Sequence, residues 1–177
     1  MAQQRTKEAD ERERTCTELL IPLPTLEFDF RIIVDLDPQS PNFNPVHKEA
    51  IAVLSGQWSG TFGNGHVLAG GYDLGQARGS QPIRIMECAF VLQNSEQNPA
   101  KFEVRTRGAL SGPCHVLDQI IDPRKKKEFA PQEYSFRMFC TVKATDHRYV
   151  ELVNTGLWVA SGAWKDRNLI IDAFRVM

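Results

Sequence analysis

The sequence predicts an all-β protein, either an antiparallel barrel or a sandwich, on three observations. Short apolar segments with strand-like alternation recur along the chain, separated by turns rich in Gly, Asn and Pro. Eight of the 12 glycines fall between Gly56 and Gly79, and barrels use glycine where strands bend, bulge or turn. A helical protein would instead lose about 1 kcal/mol at each interior glycine relative to alanine. Only one segment has a clear helical spacing of apolar residues.

The elements follow in order along a single predicted domain, 19–177, after a charged tail or short helix over 1–18. The first strand places Leu26, Phe28 and Phe30 on one face and polar residues, including Asp29, on the other. Further strands are predicted at 50–54, 83–93, 101–110, 134–144, 153–164 and 168–177. The segment 111–129 is the helix candidate, because its apolar residues have helical spacing and Pro123 ends the run.

The strands 83–92 and 134–144 have mixed faces, since neither face of either strand is purely polar. A barrel with a partly covered outside and a partly polar inside would give this pattern. Small barrels of about eight strands can hold one small ligand. An apolar small molecule is therefore the expected partner.

Composition and charge exclude several classes of function. The net charge of −1 and the pI of about 6.4 do not fit a nucleic-acid-binding protein. No apolar run reaches the ~18 residues that span a bilayer, so no membrane partner is expected. The charged N-terminus lacks the apolar segment of a secretory signal, and a cytoplasmic location is expected.

Cofactor and metal chemistry find no support in the sequence. The glycine cluster does not fit G-x-G-x-x-G, because Leu68 stands where Gly63 and Gly65 would require the third glycine. A Walker A motif, a G-x-S-x-G elbow, a zinc-type cysteine spacing and a histidine pair at metal spacing are all missing. We therefore expect no cofactor and no metal, and general acid–base chemistry remains.

Four residues are candidates for acid–base catalysis. Asp73 follows a Gly-Gly pair, where the backbone can approach a ligand closely, although aspartate also caps turns. Glu87 lies mid-strand among apolar residues, where burial would raise the pKa of its carboxyl; the alternative is an outward, solvated side chain. His66 and Tyr149 are candidate bases, with a solvated turn histidine and a packing aromatic as the alternatives.

Substrate-binding candidates are arginines and aromatic residues. An inward Arg105 or Arg107 would bind a carboxylate or enolate, or pair with a glutamate, whereas surface ion pairs are the alternative. Arg137 is either an inward binding residue or part of a buried structural ion pair with Asp146 or Asp172.

Trp58, Trp158 and Trp164 are candidates to line a pocket for a ring-rich ligand, with core packing as the alternative. Tyr72 is a further substrate-binding candidate.

Four short segments carry distinctive motifs. The segment 134–149 contains aromatic-x-Phe-Arg followed by Asp-x-Arg-Tyr, with Asp146, Arg148 and Tyr149 in the second motif. VLAGGYDLGQ (67–76) contains Gly-Gly-x-Asp, and FEVRTRG (102–108) and IIDAFRV (170–176) are strand-like. With these motifs in this order, the chain resembles the DUF3237 family over about 26–177. Leu74 replaces a common aromatic, and Asn154 corresponds to a family asparagine with about one residue inserted.

The resemblance implies a compact, lipocalin-like antiparallel β-barrel with one short helix, and a homo-oligomer, since members are often oligomeric. Some fungal members resemble cofactor-free cyclases or isomerases of natural-product pathways. We therefore expect acid–base ring closure of a polyketide or terpenoid intermediate, for example hydroxyl addition to an alkene. A non-catalytic binding protein and an oligomeric structural protein are the alternatives. The enzymatic hypothesis requires an enclosed apolar chamber into which acidic side chains project.

Overall fold

Eight antiparallel strands close into one barrel, in which each strand pairs with its sequence neighbours and the last pairs with the first. The computed structural model describes residues 22–37, 48–76, 83–121, 129–166 and 168–177, without the side chains of 48–50 and 71–76. The strands are β1 (Leu26–Leu36), β2 (Lys48–Gly60), β3 (Gly63–Gln76), β4 (Ile83–Asn94), β5 (Lys101–Ser111), β6 (Ser135–Ala144), β7 (Trp158–Lys165) and β8 (Asn168–Val176). The predicted barrel is confirmed. Because β8 pairs with β1, the sheet is closed, and the fold is a barrel and not the alternative sandwich.

Two short helices interrupt the strand order, α1 (Cys114–Ile121) after β5 and α2 (Val150–Val153) after β6. The first confirms the predicted helix in part, because its buried residues are the four apolar ones with helical spacing. The second helix was not predicted. It precedes β7, which begins at Trp158 and not at the predicted residue 153. The predicted 1–18 tail and most of 122–129 lie outside the described residues.

Most of the glycine cluster, from Gly56 to Gly75, lies in one long hairpin. Strands β2 and β3 have 13 and 14 residues and are joined by a tight turn at Thr61 and Phe62. Gly63, directly after this turn, has φ of +138°, a conformation that favours glycine. The sequence predicted only 50–54 as a strand here, because glycine weakens the alternation on which such predictions depend.

A β-bulge in β1 reverses the predicted faces of its first residues. The register of β1 on β8 shifts between Phe28 and Phe30, so that Asp29 and Phe30 are both buried. Upstream of the shift, Leu26 and Phe28 are more than half exposed. The predicted outward position of Asp29 and inward positions of Leu26 and Phe28 are therefore wrong, because one extra residue changes the phase of a strand.

Aromatic side chains fill the barrel interior near this bulge. Phe62 packs on Trp58 with ring centroids 5.0 Å apart, and it contacts Phe30 and Phe102 at 5.3 Å. Near the other end, Phe136 stacks on Trp164 at 5.1 Å. In its described part the interior is thus a packed apolar core.

Candidate functional site

A groove of about 790 Å³ lies on the outer surface of the barrel, across β4 to β8 and the start of β1. Its floor is apolar, with Ala109, Val159 and Phe174 contributed by three different strands. Phe139, in the middle of β6, is 69% exposed. The complete lining is Leu26, Ile85, Arg107, Gly108, Ala109, Arg137, Met138, Phe139, Val159, Ala160, Ser161 and Phe174. Exposed apolar patches of this kind on soluble proteins mark binding surfaces.

Two arginines predicted from the sequence lie on the walls of this groove. Arg107 is mostly exposed, and its Nε lies 3.3 Å from a carboxylate oxygen of Glu87 on β4. Arg137 is exposed on β6, where its Nη1 donates to the backbone carbonyl of Phe136 at 3.1 Å. The groove therefore combines an apolar floor with two cationic side chains.

A second, polar pocket of about 540 Å³ continues the groove, because Arg137 and Ser161 line both. Gln132, Tyr134 and Asp172 also line it. Asp172 is held by a bidentate ion pair with Arg31, at 2.5 and 2.7 Å. Together the two pockets offer an apolar section that leads into a section rich in hydrogen-bonding groups.

Of the alternatives considered for Glu87 and Arg105, the outward positions are the ones observed, and the predicted inward position of Arg137 is wrong. Neighbouring positions on β4 bury Met86 and Cys88, and the strand period of two therefore sends Glu87 outward to Arg107. Arg105 is likewise exposed, 3.9 Å from Glu103. The predicted pairing of Arg137 with Asp146 or Asp172 does not form, since those carboxylates bind Arg148 and Arg31.

The remaining candidates lie at separate places. Asp73 and Tyr72 lie in β3, where the register sets Asp73 opposite Cys88 and Ile51, and their side chains lie outside the described part of the chain. His66 is exposed on the outer surface of β3, in a polar pocket of about 380 Å³. The structure therefore brings Glu87, Arg107 and Arg137 together and leaves His66 apart from them.

Trp58 and Asn154 have structural partners. The indole of Trp58 is buried in the core, and its Nε1 donates to the backbone carbonyl of Gln93 at 3.1 Å. The amide of Asn154 bridges both backbone groups of Ala144, at 2.7 and 3.0 Å. The first contact links β2 to β4, and the second ties the end of β6 to the residues after α2.

Tyr149 belongs to a charged cluster that joins two loops at one end of the barrel. Its hydroxyl donates to Glu96 at 2.5 Å and accepts from Asn94 at 3.0 Å. Arg148 binds Glu96 at 2.6 Å and Asp146 at 2.7 Å. The bond to Glu96 raises the pKa of Tyr149, and the bonds from Arg148 lower the pKa of Asp146 to about 2. Three signature residues of the sequence, Asp146, Arg148 and Tyr149, thus hold loops together.

From this cluster we predict that the folded protein loses stability in acid. The pKa of Asp146 is about 2 in the folded protein against 3.8 ordinarily, so its contribution is present above pH 4 and is lost as pH falls toward 2. The pKa of Glu96 is also lowered, chiefly by the Tyr149 hydroxyl, and acts in the same direction. Carboxyl titration by NMR should give a midpoint near 2 for Asp146, and Arg148→Gln should return it to about 4. A wild-type midpoint near 4 would contradict the role of the cluster.

Sequence reasoning missed two buried charged residues, Asp29 and Arg84. The Asp29 carboxylate accepts from Trp158 Nε1 at 2.6 Å and from the Thr61 hydroxyl. Burial, with this carboxylate nearby, raises the pKa of the Cys140 thiol to about 12. Arg84 is buried on β4 and bonds to Asp118 of α1. Its place in the strand alternation was the available signal, since it shares a face with Met86 and Cys88.

Within the described ranges, His, Cys, Asp and Glu side chains form no group of three that could hold a metal ion. No helix in this part of the chain is both long and apolar enough to span a membrane.

The fold and the groove define a class of protein, a closed eight-stranded antiparallel barrel with an apolar, arginine-lined groove on its outside. The chain belongs to the DUF3237 family, described as proteins of unknown function, whose model matches residues 24–176. No curated protein matches the chain.

Solved structures with the same fold come from three bacteria. A conserved protein of unknown function from Rhodopseudomonas palustris is 20% identical, covering 89% of this chain and 100% of that one, with a TM-score of 0.75. A protein with unknown function from Clostridium acetobutylicum is 19% identical, covering 89% and 99%, with a TM-score of 0.71. A beta-barrel like protein from Acinetobacter baumannii is 19% identical, covering 89% and 98%, at 0.65. At these identities the likeness shows the fold alone.

Proposed function

We propose that the protein binds an amphipathic small molecule, with an apolar body and an acidic group, in the outer groove. The observation that carries the proposal is the position of Arg107 and Arg137 on the walls of an otherwise apolar groove. Both guanidinium groups are exposed and can therefore turn toward a ligand. Arginine presents a planar fork of donors that matches a carboxylate.

The size of the groove suits such a ligand. Its volume of about 790 Å³ falls within the ~300–1,000 Å³ of small-molecule sites. Covering the exposed ring of Phe139 and its apolar neighbours supplies the driving force, at roughly 25 cal/mol per Å² of buried apolar surface. The adjoining polar pocket extends beyond Arg137, so polar groups of the ligand lie there while its apolar body lies on the floor.

Direct binding measurements test this proposal. The probes are decanoate and naphthalene-2-sulfonate, titrated by calorimetry and by NMR chemical-shift mapping. Arg137→Met should weaken the binding of both probes at least tenfold, because a charge-assisted contact contributes about 1.5–3 kcal/mol. Phe139→Ser should weaken decanoate binding through lost apolar contact.

Arg105→Met is the matched control, since Arg105 is as exposed as Arg107 but lies outside the groove. The control should bind both probes as the wild type does. Equal binding by Arg137→Met and wild type, or shifts confined to residues outside the groove, would reject the proposal. If the wild type self-associates through this face, sedimentation velocity will show a dimer that decanoate does not dissociate, and that result also counts against it.

A second candidate function, acid-catalysed cyclisation or isomerisation of an apolar metabolite, rests on Asp73. In an antiparallel pair, residues directly opposite each other share a face of the sheet. The register of β3 sets Asp73 opposite Cys88 and Ile51, both of which are buried, and we propose Asp73 as the acid. Glu87 has no part in this version, and the Tyr149 hydroxyl proton already binds Glu96.

Deleting the gene, profiling the accumulated metabolites and complementing with variants tests the second candidate. Asp73→Asn should fail to restore the lost product, because an amide cannot donate the proton. Glu87→Gln, the matched control, should restore it. Full restoration by Asp73→Asn would end the proposal of an acid at this position.

A further inference from the structure

Arg84 is a buried cation on the interior face of β4. Its side chain is 6% exposed, although arginine is almost never fully buried without partners. Strand alternation places it on the same face as Met86 and Cys88, and the register sets it opposite Leu110 of β5. Arg84 does not line the outer groove, so a ligand bound at Arg84 is independent of the proposed function.

The hydrogen bonds of Arg84 are incomplete. Its Nη2 donates to the carboxylate of Asp118 on α1, and that side chain is 62% exposed. Its Nε is buried and has no hydrogen-bond acceptor among the described residues. A buried donor of a charged group left without an acceptor is costly, and native structures rarely keep one unless something else occupies the site.

A second buried polar atom without a partner in the described part of the chain lies on the same interior face, the hydroxyl oxygen of Thr106 on β5. Thr106 is opposite Cys88, four positions along the strand pair from Arg84 and Leu110, or roughly 13 Å at 3.3 Å per residue. Two unpartnered polar groups therefore face the interior from neighbouring strands.

The residues between Arg84 and Thr106 on the interior face include side chains that can change their packing. Met86, Gly108 and Met138 lie directly opposite one another on β4, β5 and β6. The backbone of β6 closes the space beside Gly108, so room for a ligand has to come from the two methionines. Methionine side chains are flexible enough to repack around an inserted group, and a small ligand would enter this row in place of the two thioethers.

We propose that the barrel interior between Arg84 and Thr106 binds a small monocarboxylate with a compact apolar body and a hydroxyl group. The carboxylate accepts from Arg84 Nε, the apolar body replaces contacts of Met86 and Met138, and the hydroxyl group pairs with Thr106. The carboxylate of the ligand also compensates the positive charge of Arg84 inside the barrel, since the carboxylate of Asp118 lies on the solvent-exposed side.

Thermal-shift titrations with benzoate, 4-hydroxybenzoate and the neutral benzamide test this site. Benzoate should raise the melting temperature with increasing concentration, whereas benzamide should not. 4-Hydroxybenzoate should bind more tightly than benzoate in the wild type and equally in Thr106→Val. Arg84→Met should abolish the response to both acids yet still bind decanoate in the groove, which separates the two sites. Arg105→Met, which changes neither site, should leave the response unchanged.

Asp118→Asn keeps the site testable if Arg84→Met does not fold. Removing the competing carboxylate should strengthen benzoate binding roughly fivefold, because two unit charges a few ångströms apart interact by about 1 kcal/mol even in water. No response of the wild type to either acid, an equal response in Arg84→Met, or weaker binding in Asp118→Asn would each overturn the proposal.

Discussion

Trp158→Ala is expected to lower the free energy of unfolding by about 5 kcal/mol, close to the whole stability of many domains. The indole is fully buried and contacts Phe30 with ring centroids 6.1 Å apart. Removing it leaves a cavity in the aromatic core. It also takes away the N–H that the buried carboxylate of Asp29 accepts at 2.6 Å, and an unpaired buried charge is costly.

Urea denaturation followed by circular dichroism measures the loss, and Trp158→Phe separates its two causes. Phenylalanine keeps most of the packing but cannot donate to Asp29, so we expect a loss of about 1–3 kcal/mol from the missing bond. Asp29→Asn in the Trp158→Phe background should recover part of it, because the buried group is then neutral. A loss below about 2 kcal/mol for Trp158→Ala would mean that the core repacks around the gap.

Gly108→Val is the second change with a large expected effect, a loss of about 3 kcal/mol or failure to fold. A Cβ on Gly108 would meet the backbone carbonyl of Arg137 and the Cα of Met138 on β6. Both atoms belong to the ladder between β5 and β6, so they cannot move away without breaking the pairing that closes the barrel.

Ala109→Val, at the next residue, is the control for Gly108→Val. Ala109 faces the outer groove and is only half-buried, so a larger side chain there has room and should cost less than about 1 kcal/mol. Thermal unfolding of both variants, with β-sheet content monitored by circular dichroism, gives the comparison. Equal melting temperatures for the two variants would contradict the steric argument.

The sequence predicted the strands best where alternation is regular. Strands β4, β5 and β6 alternate along most of their length, and their predicted bounds lie within one or two residues of those observed. Strand β1 lies where the sequence predicts it, at Leu26–Leu36, but the faces of its first residues were predicted wrongly, because a bulge changes the phase without any Gly or Pro to mark it. Prediction also failed in β2 and β3, where pairing with neighbours stabilises glycine-rich strands that have weak alternation of their own.

The candidate site was harder to predict than the fold. The alternation of β4 places Glu87 and Cys88 on opposite faces, so the outward position of Glu87 could have been predicted from it. Because both faces of the strand carry apolar residues, the sequence did not show which face was the inner one. The groove combines side chains from strands more than 100 residues apart, such as Leu26 and Phe174. Their meeting depends on β8 closing against β1, and no single segment carries that information.

The bulge at Asp29 divides β1 into two stretches whose side chains have different surroundings. Before it, Leu26 and Phe28 shape the outside, and after it, Phe30 and Ile32 belong to the core. Replacements at the start of the strand can therefore remodel the exterior wall while the hydrophobic centre keeps its shape. Deleting one residue there would exchange the two environments, expelling the carboxylate and drawing the two apolar side chains inward, so this strand should tolerate substitution far better than a change in length.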